Sequence, residues 1–236
     1  MDILLLAAGM GTRLGPQTEF LPKSLVPVLG KPLLHRILDS LLSFPIGKIV
    51  LVAGFEQEKI TQAVKPYGPK VKIVYNPDFK KGNLLTVLCG RGKMTAPFAI
   101  FNADHHYSKT ILNKILSHKG DAICAVCDFD RPLTDDDMKV RLNPDGLSMM
   151  SKKLERPDGG YVGVTLVPEA REKIYWDTAS AVLKESGDSS HAEMVLNRLA
   201  SHDEKVEILD ISGSVWIEID TPEDLAAAEQ KMKLIE

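Results

Sequence analysis

Long hydrophobic runs are missing from this sequence. None approaches the roughly 20 residues that cross a bilayer, so no membrane span is expected. The apolar opening stretch Ile3–Ala8 is too short for a signal-peptide core and runs at once into Gly9–Arg13, so cytoplasmic residence is expected. Cysteine is scarce. The three residues Cys89, Cys124 and Cys127 are an odd number without a framework, which argues against a secreted disulfide scaffold. Cys124-Ala-Val-Cys127 has metal-site spacing, but it falls around Asp121–Val126, which reads as a buried strand. Residues three apart on a strand point to opposite faces, and no second Cys/His pair completes a zinc site. Excess charge is absent too: the formal net charge is −3, which gives no reason to expect nucleic acid or a membrane surface as partner. Acidic substrates must then be held by a local cluster. There is no internal repeat, low-complexity tract or linker.

What is present suits one α/β sheet domain: 236 residues, 44% hydrophobic and 26% charged. Asp2–Ala7, Lys48–Val52, Val71–Tyr75 and Pro97–Asn102 read as strands. Between and after them, Pro32–Phe44, Gln57–Lys65, Leu84–Arg91 and Lys109–His118 read as helices. Alternation of this kind predicts a Rossmann-like mixed, mostly parallel sheet with helices on both faces. Pro32 suits a first helical turn. Later, Pro144-Asp145-Gly146 joins Lys139–Asn143 and Leu147–Lys152 as a hairpin, and Tyr161–Val167 is a further strand. Pro168–Lys184 and Ala192–Ser201 look helical; Val206–Ile211 and Val215–Glu218 are short strands. Thr221-Pro222-Glu223-Asp224 carries the cap, proline and acids of a final helix start. The expected organisation is a single domain over 1–236, in three parts: one to about 120, one over about 121–215, and a C-terminal segment over about 216–236 with its helix.

The strongest local signal is Leu6-Ala7-Ala8-Gly9-Met10-Gly11-Thr12-Arg13-Leu14, directly after the first strand. Ligands of parallel sheets collect at the carboxyl ends of strands, and glycines let backbone N–H groups approach phosphates closely. Two familiar loops are excluded. Leu14 stands where a dinucleotide GxGxxG wants its third glycine, and no GK followed by Ser or Thr makes a Walker loop. Arg13 follows instead, with Pro22-Lys23-Ser24-Leu25 a short loop later. A guanidinium fork and a point charge together can neutralise a departing pyrophosphate.

Leu6–Leu14 with Pro22-Lys23-Ser24-Leu25-Val26-Pro27-Val28, Thr18 and Gly30-Lys31-Pro32-Leu33 resembles the opening motif of the sugar-1-phosphate nucleotidyltransferase superfamily, over about the first forty residues. The resemblance implies that the backbone of Leu6, Ala7, Ala8 and Gly9 lies near the base. Gly11, Thr12, Arg13 and Lys23 would hold phosphates. Asp104 and Asp220 each end a strand on the nucleotide side, and hard carboxylate oxygens suit Mg²⁺. The resemblance assigns both to the metal, although Ala103 replaces the glycine common before the first aspartate. From the residues alone, Asp220 also reads as an acid complementing a helix dipole. His105 and His106 diverge on a strand end, so a shared metal is not expected; His105 is a candidate for the acceptor site or for a structural role.

Base and acceptor rest on Asn76-Pro77-Asp78-Phe79-Lys80-Lys81-Gly82-Asn83-Leu84-Leu85-Thr86. This stretch resembles cytidylyltransferases acting on phosphocholine or inositol 1-phosphate, as do Asp104-His105-His106-Tyr107-Ser108 and Trp216-Ile217-Glu218-Ile219-Asp220. Asn76 and Asn83 offer donors and acceptors to a cytosine edge and Thr86 keeps a hydroxyl; a turn at Asn76 and a helix cap at Asn83 are the alternatives. The resemblance aligns Lys152 with a lysine on the acceptor phosphate, with Lys153 as rival. Tyr175, Trp176 and Trp216 are available for a quaternary-amine cage, but no cage is evident, which tilts the acceptor toward a polyol phosphate. The expected activity is Mg²⁺-dependent transfer of a nucleoside monophosphate, from an NTP read as CTP, to a small phosphorylated alcohol. Arg13, Lys23, Lys152, Asp104 and Asp220 would be its catalytic residues. A sugar-1-phosphate enzyme using UTP, dTTP or GTP and a non-catalytic nucleotide-binding regulator are the alternatives; homo-oligomerisation stays open.

Overall fold

In the computed structural model, which describes residues 1–202 and 204–235, the opening apolar run is β1 (Asp2–Ala7). A small ribbon of β2 (Pro27–Val28) and β3 (Lys31–Pro32) leads into α1 (Leu33–Leu42). Then come β4 (Ile49–Ala53), α2 (Gln57–Val64), β5 (Val71–Tyr75), α3 (Asn83–Leu88), β6 (Phe98–Asn102), β7 (His105–Tyr107) and α4 (Lys109–Leu116). The second half holds β8 (Ile123–Asp128), β9 (Lys139–Asn143), β10 (Gly146–Ser151), β11 (Gly159–Val167), α5 (Glu172–Ser186), α6 (Glu193–Ser201), β12 (Val206–Asp210), β13 (Trp216–Glu218) and α7 (Pro222–Ile235). Two helix starts differ from expectation. Pro32 pairs with Pro27 and keeps an extended ψ of 141°, so α1 begins one residue later. Pro168 likewise stays extended, and α5 begins only at Glu172, after a 3₁₀ turn. α3 stops at Leu88, short of the expected Arg91.

Among the described residues, nine strands form the main sheet. β6, β1, β4 and β5 are parallel neighbours, and β11 joins β6 antiparallel. β11 is also the branch point: β8 pairs along it, β9 takes its first residues, and β12 lies parallel to β8. Gly163 makes the branch. It has φ +75°, its strand shifts register between Tyr161 and Thr165, and an added Cβ would sit 2.7 Å from Asn102 Nδ2. A side chain there would need both a left-handed backbone and space that is taken.

Alternation along buried strands builds two cores. Ile3 and Leu5 face one side with Leu34, Ile37, Leu38 and Leu41, the i, i+3, i+4 stripe of α1. Leu4, Val50 and Ile100 face the other with Leu84, Tyr175 and Trp176. Each such aliphatic side chain contributes about 1.5–3 kcal/mol by leaving water. Cys124 belongs to the first core and Cys127 to the second, so the two thiols lie on opposite faces of β8. A third cluster of Leu14, Val26, Val28, Leu33, Ile217, Ile219 and Met232 binds the glycine loop and the β2–β3 ribbon to the segment carrying Asp220. No helix among the described residues is long and apolar enough to cross a membrane.

Candidate active site

β1 has β4 on one side and β6 on the other, all parallel, so chain connections leave in opposite directions at its carboxyl end and open a crevice there. The loop after β1 enters this crevice. Gly11 is left-handed (φ +70°), and a Cβ on it would lie 2.6 Å from Lys23 Cβ. The Thr18 hydroxyl donates to Gly11 O at 2.7 Å and pins the turn. Gly9, in contrast, would point a Cβ into open space. The crossing of Lys23 under Gly11 is therefore a steric requirement, and it delivers the Lys23 ammonium to the crevice.

Two aspartates meet that ammonium. Asp104 follows β6, whose end is tied to β1 by Ala103 N donating to Leu6 O at 3.0 Å. Asp220, 116 residues later in the chain, arrives because β13 pairs antiparallel with β7, Glu218 opposite His105 and Trp216 opposite Tyr107, and Ile219 N donates to Asp104 O at 3.2 Å. Thr221 and Asp224 cap each other at the start of α7, and Asp224 also accepts from Asp220 N, which fixes the Asp220 backbone. Lys23 Nζ lies 2.5 Å from Asp104 Oδ2 and also bonds Asp220 Oδ1. Arg13 bonds Asp220 Oδ2 at 2.7 Å and, with its other arm, Asp136 at 2.8 Å; Lys152 reaches the second oxygen of Asp136 at 3.4 Å.

Electrostatics follow from this packing. Burial alone would lower the Lys23 pKa, but the charges of Asp104 and Asp220 outweigh it and hold the ammonium above its ordinary value. Burial would raise Asp104, yet Lys23 and then His105, bonded through Nδ1 at 2.6 Å, hold this carboxyl far below the usual range. Glu218 moves the other way: burial raises it, and so do the charges of Asp104 and Asp220, against the pull of His105. The site is thus a compact alternation of buried charges, whose cations and carboxylates each depend on the others.

Of the residues singled out from the sequence, Arg13, Lys23, Asp104, Asp220 and Lys152 come together in one chain of ion pairs. Lys23 rests on the two aspartates, because a buried ammonium takes the nearest carboxylates as counterions. Asn76 and Thr86 face inward. They are 2% and 5% exposed, Asn76 Nδ2 donates to Thr86 Oγ1 at 2.9 Å, and Asn76 Oδ1 accepts from Asp78 N in a turn. Asn83 heads α3 without capping it; its Oδ1 accepts from Ala192 N at 2.8 Å and fastens α3 to the start of α6. In the core, Trp176 stacks on Phe98 and Tyr175 meets it edge-to-face, away from any cage. Asp136 and Glu218 were not foreseen. Asp136 sits in Asp135-Asp136-Asp137, which reads as a solvated acidic run until Arg13 and Lys152 are seen converging on it.

Beside this site, between the loop 128–137 and the segment leading into α7, lies a cleft of about 690 Å³. Arg13, Asp136 and Asp220 form one end, and Trp216, Glu218 and Lys231 line it further along. Arg13 and Asp220 thus belong both to the ion-paired centre and to the wall of an open cleft of mixed polar and apolar lining, an arrangement with room for a donor and an acceptor.

A glycine loop at the switch point of a parallel sheet, with two lysines, an arginine and two converging aspartates, defines a phosphate-handling α/β protein. The chain belongs to the MobA-like NTP transferase domain family, whose model matches residues 3–202. Among curated relatives, a protein of Aquifex aeolicus described as a bifunctional IPC transferase and DIPP synthase is 27% identical over 96% of this chain. The chain spans about half the length of such relatives. Two solved structures share the fold. The inositol-1-phosphate CTP transferase from T. maritima superposes with a TM-score of 0.83 at 21% identity, covering 99% of this chain and 95% of that one. The CTP:phosphocholine cytidylyltransferase from Streptococcus pneumoniae gives 0.80 at 19% identity, covering 98% of each.

Proposed function

We propose that this chain transfers CMP from CTP to a small phosphorylated polyol of the inositol 1-phosphate kind, releasing pyrophosphate. Membership of an NTP transferase family supports the reaction type. The choice of CTP and of a polyol phosphate draws on relatives whose descriptions name an IPC transferase and an inositol-1-phosphate CTP transferase. The observation that carries the reading is the convergence of Lys23, Asp104, Asp220 and Arg13 in one chain of ion pairs, of which Arg13 and Asp220 also line the cleft.

An acceptor phosphate is already anionic and needs no strong base. The barrier is the approach of one anion to another, so positioning and charge neutralisation dominate. An acceptor oxygen bonds to the α-phosphorus in line with the departing group; the bond from the α-phosphorus to the bridging oxygen breaks, and pyrophosphate leaves with that electron pair. Backbone N–H groups from Gly9 to Thr12 would cradle the phosphates. Arg13 would exchange Asp136 for a phosphate oxygen at little cost, since an exposed ion pair such as this is worth about 0–1 kcal/mol. Lys152, on the same carboxylate, would make the equivalent exchange for the acceptor phosphate.

Asp104 and Asp220 suit magnesium as hard-oxygen ligands. Both already converge on one positive centre, the Lys23 ammonium, and among the described residues no third His, Cys, Asp or Glu joins them in a metal cluster. Two carboxylates leave the remaining positions to phosphate oxygens and water, as Mg²⁺ prefers. The bound ion would neutralise charge and polarise phosphoryl oxygens.

Pyrophosphate release tests the reading. Each of four NTPs is crossed with inositol 1-phosphate, phosphocholine and several sugar 1-phosphates in the presence of Mg²⁺. Turnover confined to CTP with the polyol phosphate is expected. Turnover confined to a sugar 1-phosphate with another NTP would replace this reading.

A further inference from the structure

One wall of the cleft carries a cation of its own. Trp216 is the aromatic residue lining it, and the guanidinium carbon of Arg131 lies 4.4 Å from the Trp216 ring centroid. Both partners are held in place. Trp216 Nε1 donates to Asp128 Oδ2 at 2.7 Å, and the ring lies parallel to His105, 5.7 Å away at 4°. Arg131 bonds Asp137, whose other oxygen accepts from Thr134 N at 2.5 Å and from the Thr134 hydroxyl at 2.9 Å. Asp130 Oδ2 accepts from Gly213 N at 2.6 Å and ties the same loop to the turn between β12 and β13.

A tryptophan face among carboxylates is what recognises a quaternary ammonium group. Glu218, Asp220 and Asp224 line the same cleft as this ring, and Asp128 holds its Nε1, so the cleft without Arg131 would have the chemistry of a choline receptor. Arg131 occupies the seat. A cationic head group entering the cleft would meet a like charge and a ring already engaged, which is discrimination by repulsion. A neutral polyol would meet the reverse. A guanidinium has five N–H donors in a rigid fork, and one of its arms goes to Asp137. The side chain remains 29% exposed, leaving donors for hydroxyl oxygens.

We propose that Arg131 is a specificity-determining residue of the acceptor cleft: laid on Trp216 and anchored by Asp137, it excludes quaternary-ammonium phosphates and donates hydrogen bonds to the hydroxyls of an uncharged polyol phosphate. This rests on the proposed CTP-dependent activity and identifies the residue that separates two acceptor classes of equal phosphate charge.

The test measures kcat/KM with CTP for inositol 1-phosphate and for phosphocholine, in the wild type, Arg131→Met and Arg131→Lys. Wild type should strongly prefer the polyol. Arg131→Met, which frees the ring and removes the charge, should shift the ratio of the two values toward phosphocholine by about tenfold or more. Arg131→Lys keeps the charge and loses the fork, so KM for inositol 1-phosphate should rise by about tenfold while phosphocholine stays rejected. An unchanged ratio in Arg131→Met overturns the proposal. Should that variant fail to fold, an unchanged polyol KM in Arg131→Lys overturns it equally. Wild type inactive on inositol 1-phosphate would remove the parent reading and this one together, and that result appears before any variant is made. Wild type active on inositol 1-phosphate, with variants that discriminate as it does, removes only the role of Arg131.

Discussion

Replacing Lys23 by methionine keeps the unbranched stem, one atom shorter, and removes its charge. In the wild type this ammonium is 10% exposed and touches two carboxylates that are themselves largely covered, at 24% and 17%. A pair of unit charges 4 Å apart interacts by about 4 kcal/mol at an effective dielectric constant of 20, and Lys23 has two such partners. Part of that is offset by desolvation, so the net loss follows the rule for removing one member of a buried ion pair, about 3–5 kcal/mol. Taking about 3 kcal/mol, because the aspartates keep some contact with water, and roughly 2–4 °C per kcal/mol for a chain of this size, Tm should fall by about 6–12 °C. The direction of rescue is the sharper test. With the ammonium gone, Asp104 keeps His105 on one oxygen and Asp220 keeps Arg13 on one, and the oxygen that Lys23 held on each is left as a ligand, so Mg²⁺ should raise the Tm of Lys23→Met more than that of the wild type. Calorimetric scans with and without MgCl₂ read both quantities. A Tm within about 2 °C of wild type, or equal stabilisation of both proteins by Mg²⁺, would refute the reasoning that this cation and a metal share the same two carboxylates.

Other outcomes can be stated now. Asp104→Asn and Asp220→Asn preserve shape and should retain the fold by circular dichroism while pyrophosphate release falls at least about 100-fold; activity close to wild type would remove them from the chemistry. Gly11→Ala places a methyl 2.6 Å from Lys23 Cβ on a left-handed backbone, and urea unfolding should show a loss of more than about 1–2 kcal/mol. At pH 8 a disulfide thiol reagent should modify at most half-buried Cys89 in the native protein and all three cysteines after denaturation. Burial pushes the Cys124 thiol up to about 12 and raises Cys127 as well, so neither presents thiolate at that pH.

The strands of the first half could be read from sequence because each is an apolar run bounded by turn residues, and their parallel order follows from alternation with helices. β1 and β5 were placed to the residue. The glycine loop and Lys23 were legible for the same reason: a tight approach of backbone to a ligand demands particular residues close together in the chain. Helix starts at Pro32 and Pro168 were misplaced, because proline fixes φ but leaves ψ free, and tertiary pairing at Pro32 chose the extended value.

What depends on residues far apart in the chain was decided only by packing. Asp104 and Asp220 each stood out as a strand-end acid, but their meeting on Lys23 required the β7–β13 ribbon. Asp136 took on meaning only when Arg13 and Lys152, 123 and 16 residues away in sequence, closed on it. Arg131 was one charge in an acidic loop until Trp216 came beneath it. Asn76 is joined by its amide to Thr86, ten residues on, and to Asp78 N inside the protein; only the fold supplies the first partner, and a local turn supplies the second. Local sequence determined which residues form a glycine-rich, positively charged loop after the first strand, since that depends on backbone freedom and charge within a few positions. The partners of those charges came from the tertiary structure, since a buried ion is paired by whatever carboxylate the fold brings within reach.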